Sequence, residues 1–178
     1  MPHTVLAFWF QEIRPADWWA SSPAFDDQVR SRFGALHEQA LRCELSGWRT
    51  TPEGRLAEVI VLDQFSRNIH RGTPRAFAAD PLALALAQEA VAAGADLQLQ
   101  FDQRSFLYMP WMHSESAAIH AAGEPLMKER APQHTHDFEL KHKQIVDRFG
   151  RYPHRNAILG RVSTAEELEF LKQPGSSF

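Results

Sequence analysis

The chain has 178 residues, 44% hydrophobic, 23% charged and 11% aromatic, which suits one ordinary globular domain (1–178) with a sizeable core. A net charge of -3 argues against nucleic-acid binding, and a single cysteine, Cys43, excludes an intramolecular disulfide and a cysteine-based zinc site. The amino terminus lacks a basic region, and its apolar run Val5–Phe10 is too short for a signal segment or a membrane span, so a reducing cytoplasm is expected.

Paired cap-and-proline signals recur along the chain: Ser22-Pro23, Thr51-Pro52, Thr73-Pro74 and Asp80-Pro81 each put an N-cap before a first-turn proline. Ser163 with Glu166 reads as a capping box, and Gly47, Gly72, Gly94, Gly123 and Gly150 read as helix stops. No segment alternates with period two between hairpin turns. The expected fold is therefore all-α.

Val5–Phe10 is too short for periodicity to separate a helix from a strand, and its neighbours favour a helix. Trp18, Trp19 and Phe25 are expected to pack it onto a helix over Pro23–Cys43, whose Val29, Phe33, Leu36 and Ala40 recur at helical spacing. The helix over Pro52–Ile69 is apolar nearly all round, which marks a central, buried element. Its second half nevertheless carries Asp63, Gln64, Arg67 and Asn68. Charges on a buried helix need partners, so this row is either an internal Asp63–Arg67 pair with amides tying down loops, or the lining of a pocket.

An alanine- and leucine-rich helix is expected over Pro81–Ala93, then a short one over Phe101–Met109 that ends before Pro110. Met112-His113-Ser114-Glu115 is expected to open a further helix to Ala122. His113 and Glu115 lie two apart, so a regular helix points them about 160° from each other, and no metal motif is assigned to them. A helix over His134–Phe149 has Phe138, Ile145, Val146 and Phe149 on its inward stripe, together with His142; His134 and His136 read as solvated. His142 is either a satisfied core histidine or a general base tuned by burial.

The most concentrated signal is Arg148–Arg161, with four arginines, a histidine and no acid. Gly150 ends one helix, and Pro153 sits where a first helical residue belongs, with His154, Arg155 and Asn156 in the first turn. Unpaired first-turn N–H groups flanked by Arg151 and Arg155 suit a phosphate or carboxylate. The competing reading is a structural clasp in which Asp63, Glu115 or another acid is the partner. A last amphipathic helix is expected over Thr164–Leu171, with a frayed tail from about residue 173.

Several runs resemble one family: Phe8-Trp9-Phe10, Phe25-Asp26, Leu62–Ile69, Arg71–Phe77, Met112–Glu115 and Arg148–Asn156. The chain is similar over nearly its full length to the bacterial domain-of-unknown-function family numbered 924. That resemblance implies antiparallel helix pairs in a compact tetratricopeptide-like right-handed superhelix, and it implies no established activity. His142 matches the family's histidine ahead of the Phe-Gly-Arg motif, and Tyr152 stands where the family more often has phenylalanine. The chain itself shows no recurring tetratricopeptide consensus, and no nucleotide, cofactor or hydrolase fingerprint.

Three functions stay open. One is a pocket for a small anionic ligand, with Asp63, Glu115 and His142 as candidate catalytic groups. Its candidate ligand-binding residues are Gln64, Arg67, Asn68, His113, Arg151, His154, Arg155 and Asn156, and no cofactor or metal is called for. The second is a helical-repeat module that clamps an acidic peptide. The third is a buried network that serves packing alone.

Overall fold

The computed structural model describes residues 1–19 and 21–177, and every regular element among them is helical. α1 (Pro2–Ala7) runs on into a π-helical turn, Phe8–Glu12, and α2 spans Pro23–Leu41. α3 (Pro52–Ile60) continues through a second π turn, Val61–Phe65, into α4 (Ser66–Ile69). α5 (Asp80–Ala92), α6 (Phe101–Met112), α7 (Ala117–Arg130), α8 (Gln133–Phe149) and α9 (Ala165–Phe170) follow. None of these helices is long and apolar enough to cross a membrane.

Local chemistry explains the starts and stops. Ser22 Oγ accepts from Phe25 N at 3.3 Å and Thr51 Oγ1 from Gly54 N at 3.1 Å, each before a proline whose missing N–H is harmless in a first turn. Gly72, Gly94 and Gly150 take left-handed conformations (φ 75°, 68° and 68°), as helix stops require. Other signals mean something different in three dimensions. Thr73 Oγ1 donates to His70 O at 2.8 Å instead of capping, and α5 already includes Asp80, whose carboxylate turns to arginines. The capping box is Thr164 with Glu167, one residue later than Ser163 with Glu166.

Two helices override the expected punctuation. α6 passes through Pro110 to Met112 and does not end at Met109. The ring costs one i→i−4 bond, which the packing of a segment buried from Ser105 to Met112 offsets. α7 starts at Ala117, so Met112–Glu115 is a helix end and a loop, not a helix start. Gly123 lies inside α7, where a Cβ would come within 2.8 Å of Trp111 Cβ. It is a close-approach residue between α6 and α7 rather than a stop.

The central element is the α3–α4 run. Leu56, Val59, Ile60, Val61, Leu62 and Phe65 are all 0% exposed. α3 packs on α1, α5 and α6, and its π turn packs on α2. Phe65 sits at the centre of an aromatic cluster, with ring centroids 4.8 Å from Phe33, 5.6 Å from Trp9 and 6.1 Å from Phe8. A smaller cluster of Ile145, Val146 and Tyr152, with Phe149 and Phe170 against it, holds the C-terminal part. On α8, Ile145, Val146 and His142 face inward as expected, but Phe138 is 46% exposed while His136 is buried. Thr135 and Glu139 join that inward row, and Glu139 is answered there by the buried His120.

Two glycine substitutions test this packing by chemical denaturation. Gly54→Ala sets a Cβ 1.9 Å from Trp48 O and is expected to destabilise at the upper end of the roughly 1–3 kcal/mol typical of overpacking. Gly34→Ala, within α2, meets nothing within 4 Å and should stabilise by about 0.5–1 kcal/mol.

Candidate functional site

Asp63 lies in the π turn and is 0% exposed, so its carboxylate must be answered from within the protein. Gln64 Nε2 donates to Oδ2 at 2.6 Å, Arg67 Nη1 to Oδ1 at 3.2 Å, and His113 Nδ1 meets Oδ1 at 2.7 Å. Arg67 also donates to Asp63 O at 2.8 Å and, through both terminal nitrogens, to Asp80 at 2.9 and 3.1 Å. Arg155 donates to Asp80 Oδ2 at 3.2 Å and to His113 O at 3.0 Å. Its guanidinium lies over Phe77 and Tyr152, at 4.5 and 4.7 Å from the ring centroids. These contacts close a ring: His113, Asp63, Arg67, Asp80, Arg155 and back to His113.

Charge states follow from the surroundings. Burial pushes the Asp63 carboxyl up, but Arg67 and then His113 outweigh it and hold the group well below the usual carboxylate range. Burial, then Arg67, pulls His113 down, so at neutral pH the imidazole is uncharged beside an ionised carboxylate. The Nδ1 proton therefore points to Asp63, and the lone pair is on Nε2. Burial, then Arg67, also lowers Arg155 from the usual arginine value.

The ring borders a cleft of about 380 Å³ lined by Phe77, Asp80, Pro110, His113, Glu115, Arg155 and Leu159, among others. Glu115 is held by Arg161 at 2.6 and 2.8 Å and accepts from Tyr152 N at 2.7 Å. Burial pushes Glu115 up, and the Arg161 bonds bring it net down. His142 is on the buried side, its ring centroid 6.4 Å from that of His113 and 5.8 Å from that of Tyr152. Its Nδ1 donates to Phe138 O at 2.8 Å. Burial lowers His142 to about 3 and His154 to about 4. A second depression of about 380 Å³, lined by Glu12, Asp17 and Gln28 among others, contains no histidine or arginine.

The fold thus gathers Asp63, Gln64, Arg67, His113 and Arg155, with Glu115 on the cleft wall. Other sequence candidates are engaged elsewhere. Asn68 donates to Asp26 at 2.9 Å, beside Arg71. Arg151 grips Glu167 at 2.6 and 2.8 Å, and Asn156 Nδ2 donates to Ser163 at 3.0 Å and to Glu167 at 3.3 Å. The Pro153 start is a single 3-10 turn, Pro153–Arg155, whose preceding N–H is taken by Glu115. Asp80 and Phe77 belong to the site but carried no signal: Asp80-Pro81 looks like a cap, and nothing in one dimension brings it to Arg67. Arg161 lies in the arginine-rich stretch, where its charge was visible and its partner was not. Behind the cleft, His120 Nδ1 meets Glu139 Oε1 at 2.6 Å, and His120 Nε2 lies 3.2 Å from the Tyr152 hydroxyl.

The buried histidines set a pH dependence. Unfolded histidines titrate near 6.5, whereas His142 and His154 stay neutral in the folded chain until about 3 and about 4. The unfolded state then binds more protons below 6.5, so these residues give full stability above that pH and lose it as the pH falls toward 4. Glu139, raised by burial, opposes the trend at the lower end of this window. Calorimetry across this range should show Tm falling with pH, and His142→Gln should flatten the fall.

Comparison with known proteins places the chain. The family model described as "Bacterial protein of unknown function (DUF924)" matches residues 5–175. No curated protein matches. Among solved structures, the protein of unknown function ATU0120 from Agrobacterium tumefaciens is similar at 37% identity and a TM-score of 0.91, over 96% of each chain. This chain belongs to the DUF924 family of bacterial proteins.

Proposed function

We propose that the cleft beside the Asp63–His113 pair binds a small ligand carrying a carboxylate or phosphate, and that His113 exchanges a proton with it. One observation carries this reading. Two chemically active groups line the same cleft: an imidazole whose Nδ1 is fixed by a fully buried carboxylate, and Arg155, 6% exposed, whose Nε is buried without a hydrogen-bond partner. Polar atoms withdrawn from water are nearly always satisfied, so an orphaned guanidinium donor beside a cleft points to an anionic guest.

In this reading Asp63 orients His113, as a carboxylate orients the histidine of acid–base dyads. His113 Nε2 is the base, and acid–base groups of this kind contribute on the order of 10²–10⁴ in rate. Arg67 neutralises Asp63 so that His113 stays uncharged and able to accept. Arg155 supplies positive charge to the cleft wall, and Glu115, held by Arg161, supplies negative charge to it. His142 holds the buried side of His113, while Gln64 fixes the second oxygen of Asp63. A cleft of about 380 Å³ lies within the roughly 300–1,000 Å³ of small-molecule sites.

The purely structural reading has one observation in its favour: the ring from His113 through Asp63, Arg67, Asp80 and Arg155 closes without a guest. The two readings separate by NMR. Phosphate, sulfate, acetate and citrate, added in turn at millimolar concentration, should shift the His113 ring resonances and raise Tm; at a hundred times Kd the gain is about 2.7 kcal/mol. Leu159→Trp, which fills the cleft from its wall, should abolish both effects in a folded protein. If no anion moves His113, the ring is a clasp.

A further inference from the structure

A polar cluster apart from the cleft lies where α2 meets the end of α4. His37, on the buried face of α2, is 1% exposed, and His70 follows α4 directly. Their ring centroids are 5.3 Å apart. Among the described residues, His37, Glu38 and His70 each offer a ligand atom, and those atoms lie within 4.8 Å of one another. We propose that this cluster is a divalent transition-metal site, with zinc the ion its donors fit best.

The hydrogen bonds around His37 prepare it as a ligand. Ser66 Oγ donates its single proton to Leu62 O, so it can only accept from His37 Nε2, 2.7 Å away. The imidazole proton is therefore on Nε2, and Nδ1 carries a lone pair. That nitrogen is buried and has no hydrogen-bond partner, and the same holds for His70 Nε2. Two buried imidazole nitrogens without a hydrogen-bond partner thus sit on neighbouring rings. Fixing the outer nitrogen so that the inner one is free to ligate is the ordinary way a protein orients a metal-binding histidine.

Two imidazoles and one carboxylate form a three-ligand set that leaves a fourth position for water, as open zinc sites do. Bonds of about 2.0–2.1 Å in a tetrahedral site bring ligand atoms to about 3.4 Å from one another, so the cluster must contract modestly. Glu38 is the member free to move: its side chain is 46% exposed, and its partner Arg75 is 58% exposed, a pairing of little strength. The other nearby guanidinium, Arg30, is already committed to Ile69 O and Asp27. An ion here would tie α2 to α4 through Ser66, three residues from Asp63, and the site is separate from the cleft.

Untagged protein stripped with a chelator and titrated calorimetrically with zinc chloride tests this, with cobalt(II) absorption reporting the geometry. One zinc per chain is expected. His70→Gln and Glu38→Gln, both at partly exposed positions, should each weaken binding at least tenfold while the helical circular dichroism is unchanged. Absence of binding, affinity unaltered by His70→Gln, or binding abolished instead by His113→Gln would overturn the proposal.

Discussion

The structure turns on one buried carboxylate. Asp63 sits in a helical run where Val59, Ile60, Val61, Leu62 and Phe65 are fully buried, and a charge there is tolerable only if it is answered at close range. Arg67 is one turn away and already local, but His113 comes from fifty residues later in the chain. Holding His113 against Asp63 fixes the end of α6, and Asp80 and Arg155, bound through Arg67 and His113 O, fix the start of α5 and the C-terminal segment. One group thus sets the relative positions of four parts of the chain.

The same logic recurs at other buried carboxylates. Glu58, 1% exposed, is gripped by Arg49; Asp26 by Arg71 and Asn68; Asp96 by Arg130 and the Tyr108 hydroxyl; Glu167 by Arg151. In each case a carboxylate at the edge of a helix is matched by a guanidinium beyond it. The planar fork of arginine, matching both carboxylate oxygens, suits that task better than lysine. The arginines of residues 148–161 are therefore spoken for, and what distinguishes Arg155 among them is its burial and its remaining Nε.

The π turn gives this arrangement its geometry. Five residues per hydrogen-bonded ring instead of four add a step to the helix, so Asp63 and Gln64 leave the phase that ideal periodicity assigns them. Side chains use the altered carbonyls: Ser66 Oγ bonds Leu62 O and Arg67 bonds Asp63 O. Such turns often accompany sites, and this one carries Asp63, which meets His113, and Leu62 O, which Ser66 bonds while it faces His37 Nε2.

The chain by itself determined the helical class, the buried character of residues 52–69, and the membership of Asp63 and Arg67 in a polar row, because these rest on local periodicity and on the cost of burying charge. Caps at Ser22 and Thr51 and the stop at Gly150 were legible for the same reason: partner and donor lie within one turn. Tertiary structure alone decided the rest. It carried α6 through Pro110, buried Glu139 against His120 while leaving Phe138 exposed, made Asp80 an ion partner rather than a cap, and set His37 against His70. Each of these depends on a partner tens of residues away, and a sequence records which groups a chain offers but not which of them its packing brings within bonding distance.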